Sequence, residues 1–103
     1  MWFTASLLFK SQHHPANRDS LWEEQIVLIE AEDELAAKQK AVKLGKTGEL
    51  EYRNQTGELL RWSFEQVERL YEVEGNELKD GTELFSRFLR DSEVKSILTP
   101  FND

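Results

Sequence analysis

His13 and His14, followed by Pro15, are the two histidines of the chain. Imidazole joined by a carboxylate, Glu23 or Glu24 across a hairpin, suits several divalent cations. Adjacent histidines do not readily share one ion, and no partner stands at a metal-ligand spacing. A solvated loop is the simpler reading, and no metal site is expected. Glu23 and Glu24, next to Trp22, are by type a general acid and a nucleophile. On a strand, however, neighbours point to opposite faces, so the two do not share a site. Glu24 falls on the face of Trp22 and Ile26. Buried there, it would need a cation, and Arg61, Arg69 and Arg87 are the candidates. A structural ion pair is the bland account. A functional carboxylate–arginine pocket is the sharper one, because perturbed carboxylates mark sites only statistically.

Other chemistries lack their residues. The histidines sit in one loop, and no Gly-x-Ser-x-Gly turn exists to present a nucleophile. The five glycines stand singly, so no phosphate loop is present. The absence of cysteine excludes thiolate ligands and disulfides and fits a reducing compartment. Trp62, Phe64 and Tyr71, interleaved with Arg61 and Arg69, would make a stacking platform for bases. Against it stand 20 acidic and 13 basic residues, a net charge of −7, where nucleic-acid binding calls for clustered Lys and Arg. Packing explains these aromatics better. No nucleic acid, cofactor or catalytic residue is expected.

The elements that would position these side chains follow from patterning. MWFTASLLFKS is apolar but has no basic leader and no small-residue cleavage site, so Trp2–Lys10 reads as a first strand. No apolar run is long enough to span a membrane, and a cytoplasmic location is expected. Ser11–Ser20 is a polar loop with Pro15 and Asn17 as breakers. Leu21–Glu30 is a second strand whose Ile26–Ile29 run, apolar on both faces, predicts a central, covered position. Asp33–Leu44 is the clearest helix, with Asp33 as N-cap and Gly45 as the residue that ends it. Leu35, Ala37, Ala41, Val42 and Leu44 cover its broad apolar side. Six acids between Glu23 and Glu34 precede four lysines between Lys38 and Lys46, an order that complements the helix dipole.

Glu49–Asn54 is a short strand, joined by a hairpin loop with Gly57 in a left-handed conformation to Leu59–Val73. That long stretch alternates through Leu60, Trp62 and Phe64, then slips at Glu65–Gln66 and resumes through Val67, Arg69, Tyr71 and Val73. A single β-bulge accounts for the slip. A helix with Phe64, Val67, Leu70 and Tyr71 on one face, opened by a Ser63/Gln66 capping box, is the competing reading. Glu74–Gly81 is a turn region. Thr82–Arg90 alternates as a final strand or forms a helix, and Ser92–Leu98 is a short helical tail stopped by Pro100.

The 103 residues form one domain, with 91–103 a peripheral tail. The expected fold is α+β: a mainly antiparallel sheet with one major helix on a face, order β-β-α-β-β-β, and a short C-terminal helix. One helix cannot cover such a sheet. The uncovered face, with Trp22, Trp62 and Tyr71, is expected to mediate a homodimer or hold another protein.

With these segments in place, the chain resembles a family of small bacterial proteins known as domain of unknown function 4288. The residues that carry the likeness are MWFTASLLFKS, LWEEQIVLIEAED, EYRN, GELLRWSFEQV and DGTELFSRFL, over roughly residues 1–90. The resemblance implies a bacterial, cytoplasmic, stand-alone domain, and transfers no catalytic residue. The leading functional expectation is a non-enzymatic interaction or assembly module acting as a homodimer. A small-molecule or enzymatic site with Glu24 and an arginine between helix and sheet is the alternative. A toxin-neutralising role, resting on small size and acidity, is a weaker one.

Overall fold

Trp2–His14 (β1) lies at the centre of the architecture. In the computed structural model, which describes residues 1–14, 20–75 and 77–99, β1 is paired along both edges. Trp22–Glu30 (β2) flanks it on one side and Leu59–Glu72 (β4) on the other, with Leu50–Arg53 (β3) beyond β4. Among the described residues the sheet has four strands, all pairs antiparallel, in the order β2-β1-β4-β3. One helix, Glu34–Thr47 (α1), packs on one face, and a short helix, Asp91–Leu98 (α2), follows near the C-terminus. The expected α+β class holds.

The alternation of β1 is the physical basis of the two faces. Phe3, Ala5, Leu7 and Phe9 turn towards α1 and are almost fully buried, joined by Ile29 and, partly buried, Val27, Trp62, Phe64, Val67 and Leu70. Against them α1 presents small residues at a spacing of four: Ala37, Ala41 and Gly45. That stripe brings the helix axis close to the sheet, so large strand side chains fill the space. Phe9 and Phe64 meet there with ring centroids 5.7 Å apart.

The slip in β4 is real and double. Ser6 pairs with Arg69 and Leu7 with Val67, which leaves Glu68 as an extra residue; Leu8 pairs with Gln66 and Phe9 with Phe64, which leaves Glu65 as another. Each bulge sharpens the local twist and bends the strand around the helix. The spacing of three between Phe64, Val67 and Leu70 thus belongs to a twice-bulged strand, not to a helix. It also keeps all three on the α1 side.

The start of α1 is as expected: the Asp33 carboxylate accepts from Ala36 N–H at 2.8 Å, satisfying an otherwise orphaned donor. Its end is not. Gly45 lies inside the helix, which continues to Thr47 and is capped at Gly48, whose N–H donates to the Leu44 and Gly45 carbonyls. Gly45 is there for contact: a Cβ on it would lie 2.4 Å from the Phe64 ring. Leu35 and Leu44, expected on the buried side, are exposed, because the 37–41–45 stripe faces the sheet.

Three further expectations change. β2 is an edge strand rather than a covered central one. Of its apolar run only Ile29 is buried, while Ile26 and Leu28 on the other face are 56% and 42% exposed. Residues 82–90 form neither strand nor helix. β3 pairs only with Leu59–Trp62, so the outer edge of β4 beyond Trp62 stays open among the described residues; the segment crosses the sheet face instead, held at Thr4 and Tyr71. The hairpin loop at Gly57 does form as expected, with φ 85° and the Asn54 side chain accepting from the Thr56 and Glu58 N–H groups. The Ser11–Ser20 loop is shorter than expected because β1 runs to His14; residues 15–19 and Pro100 lie outside the described residues.

Candidate functional site

The face opposite α1 is built from register rows across β2, β1 and β4. Leu28, Thr4 and Tyr71 form one row; then Ile26, Ser6 and Arg69; then Glu24, Leu8 and Gln66; then Trp22, Lys10 and Ser63. Cross-strand neighbours share a face, so these side chains make one continuous surface.

Its upper part is covered by the segment after Gly75. Leu78–Leu84 comes down beside Leu28, where the two line a shallow cleft. Thr4 Oγ1 donates to the Leu84 carbonyl at 2.5 Å, which satisfies a hydroxyl that is 3% exposed. The Phe85 ring then stands edge-on to Tyr71 at 6.0 Å. Arg69 and Arg87 flank the same ring, at 5.5 and 5.9 Å from its centroid. This segment does the work assigned in the sequence to a fifth strand. It is a strap across the face rather than a ladder partner.

The lower part, along β2, is left open. Trp22 is 51% exposed, and with Ile26 and Leu28 it forms an apolar strip on the edge strand. Lys10 Nζ sits 5.4 Å from the centre of the Trp22 ring. Glu24 interrupts the strip and accepts from the buried Ser6 hydroxyl at 2.6 Å.

The residues singled out in the sequence are therefore divided. Trp22 stands in the open strip. Tyr71 is on the same face but half covered by Phe85. Trp62 is on the α1 side, packed against the core. With one bulge Trp62 and Tyr71 would share a face; the second bulge, at Glu68, separates them. The polar set Glu24, Arg61, Arg69 and Arg87 is only partly assembled. Arg69 and Arg87 meet at Phe85, and Arg69 also reaches Glu68 at 3.6 Å. Arg61 pairs in register with Gln12 and Glu51, away from that cluster. Glu24 takes its hydrogen bond from Ser6 rather than from an arginine. Glu24, Arg61 and Arg69 lie on the sheet face away from α1, and Arg87 joins them at Phe85. The space between helix and sheet, where a carboxylate–arginine site was expected, is filled by the apolar core.

Glu23 and Glu24 face opposite sides, as their adjacency requires: Glu23 pairs with Phe9 and Glu24 with Leu8. Among the described residues no group of three or more potential ligands could hold a metal ion. The side chain of His14 lies outside them. A groove of about 460 Å³ runs between α1 and the β2 edge, lined by Leu28, Ile29, Lys40, Leu44 and neighbours. Its polar lining is Glu30, Lys40, Lys43 and Thr47. Ile26 and Leu28 are the surface residues that sequence reasoning missed. Their signal was the apolar run itself, which marks an unpartnered face as readily as a covered one.

No curated protein and no solved structure matches this chain. The model of one family, Domain of unknown function (DUF4288), matches residues 2–86, which takes in the four strands, α1 and the strap to Ser86 and leaves α2 outside. With that match over most of its length, the chain belongs to the DUF4288 family.

Proposed function

We propose that this chain is a non-enzymatic interaction and assembly module that works as a homodimer through the open strip of its sheet. The observation that carries the reading is the edge strand β2, which presents Trp22 and, beyond Glu24, Ile26 and Leu28 to solvent on one face. Exposed apolar side chains grouped on one strand face of a small domain mark an interface, and tryptophan is enriched at interface centres. Lys10 and Arg69 flank the strip and Glu24 stands within it, which supplies the polar groups. A bacterial, cytoplasmic setting is part of the reading; it rests on the family resemblance and on a chain without cysteine.

Light scattering coupled to gel filtration on the full chain tests it. The wild type elutes as a dimer at micromolar concentration, and Trp22→Glu or Ile26→Lys shifts it to monomer with unchanged circular dichroism. Trp62→Phe, on the other side of the sheet, leaves the dimer intact. A monomeric wild type at 100 µM removes the reading.

A further inference from the structure

Beyond the strap, the chain leaves the domain. Phe85 is half-buried, but Phe88 is fully exposed, and α2 buries none of its residues and packs against none of the strands or α1. Yet α2 is amphipathic. Val94, Ile97 and Leu98, at i, i+3 and i+4, form an apolar face that is exposed throughout. A helix this short is marginal alone and draws its stability from packing. The radius of gyration, 16.6 Å, exceeds the ~13 Å of a compact chain of this length, as a projecting arm requires.

The same chain thus holds an unpartnered apolar helix and an unpartnered apolar strip, and they match in length. Trp22 and Leu28 are six residue steps apart on the strand, about 20 Å. The eight residues of α2 span ~12 Å, and the irregular residues 88–90, ending in an extended Arg90, add up to about 10 Å.

The arm does not reach its own strip. The strap crosses from Leu28 on β2, over Thr4 on β1, to Tyr71 and Arg69 on β4, and the arm departs from the β4 side. α2 touches none of the strands, β2 included, so the strip is uncovered by its own chain; a two-fold axis supplies the contact twice. At ~150–250 Å² per fully buried aromatic, Phe88 and the exposed half of Trp22 together supply about 600 Å² over two contacts. The aliphatic side chains bring the total into the range of roughly 1,200–2,000 Å² of stable interfaces.

We infer that the homodimer is closed by arm exchange: Phe88–Leu98 of each copy lies on the Trp22–Ile26–Leu28 strip of a second copy. The inference rests on the homodimer reading above and specifies what covers the strip. The chain has no cysteine, so Ile26→Cys and Ile97→Cys variants, each a single thiol, are mixed under mild oxidation. The disulfide between the two variants forms within minutes and in large excess over that between Ile26→Cys and a Lys38→Cys control. In parallel, Ile97→Asp/Leu98→Asp and Trp22→Glu, both in the full chain, each lower the dimer mass to that of the monomer. If the wild type is dimeric and Trp22→Glu breaks it, but the arm variant stays dimeric and no disulfide joins the Ile26→Cys and Ile97→Cys chains, arm exchange is wrong and the strip reading stands. If the arm variant dissociates and Trp22→Glu does not, the arm docks elsewhere and the inference falls. A monomeric wild type overturns both.

Discussion

Gly45 in α1 and Phe64 in β4 are in such close contact that a methyl group on Gly45 would sit 2.4 Å from the aromatic ring. This contact sets the distance between helix and sheet and orients the face on the far side.

Two effects oppose each other at Gly45. Replacing a helical glycine with alanine gains about 1 kcal/mol in propensity. Forcing a methyl into a filled core costs ~1–3 kcal/mol, and the ring, packed against Phe9, cannot swing away freely. The clash outweighs the propensity. Gly45→Ala is expected to lower stability by up to about 2 kcal/mol in urea unfolding. In a Phe64→Leu background the same change becomes neutral or stabilising. Equal losses in both backgrounds would show that the ring is not what Gly45 accommodates.

The Asp33 cap is testable more simply. Asp33→Ala removes the acceptor for Ala36 N–H and is expected to cost ~1 kcal/mol, whereas Asp33→Ser costs a few tenths. Thermal or urea unfolding of the pair distinguishes a cap from a general charge effect.

Ser6 and Glu24 make an asymmetric pair, since Ser6 is buried and Glu24 is exposed. Ser6→Ala leaves the carboxylate to water and is expected to cost less than about 1 kcal/mol. Glu24→Leu strands the buried hydroxyl and costs ~1–3 kcal/mol, unless the hydroxyl turns to a backbone acceptor. Denaturation midpoints of the two variants give the comparison, and equal values would contradict it.

The strap has its own readout. Phe85→Ala removes the contact with Tyr71 and the ring that Arg69 and Arg87 flank. For a half-buried ring the expected loss is about 1–3 kcal/mol. Residues 77–87 should become cleavable by protease while the sheet keeps its amide protection, because the strap makes no ladder bonds. Cleavage no faster than in wild type would refute that.

Local chemistry was legible in the sequence and long-range geometry was not. Asp33 as a cap, Gly57 at a positive-φ turn and the opposed faces of Glu23 and Glu24 depend on a few neighbouring residues, and all stand. The bulge near Glu65 was visible because the alternation breaks there. The one at Glu68 was not, because Arg69 and Tyr71 satisfy either parity, and that one residue decides which side of the sheet Trp62 occupies. Gly45 reads locally as a stop, yet its role comes from Phe64, nineteen positions away. The apolar run in β2 reads as buried, because sequence does not reveal which strands end at an edge. Thr82–Arg90 alternates well enough for a strand, but its contacts, Leu84 with Thr4 and Phe85 with Tyr71, lie on the sheet face and not along an edge.

The central claim is that the Trp22–Ile26–Leu28 strip is an interface between two copies. Sedimentation equilibrium on the full chain, wild type against Trp22→Glu, tests it most directly. The account predicts twice the 12.1 kDa chain mass for the wild type and a single chain mass for the variant, both folded. A wild type that sediments as a single chain at 100 µM, or a Trp22→Glu variant that remains a dimer, would contradict it.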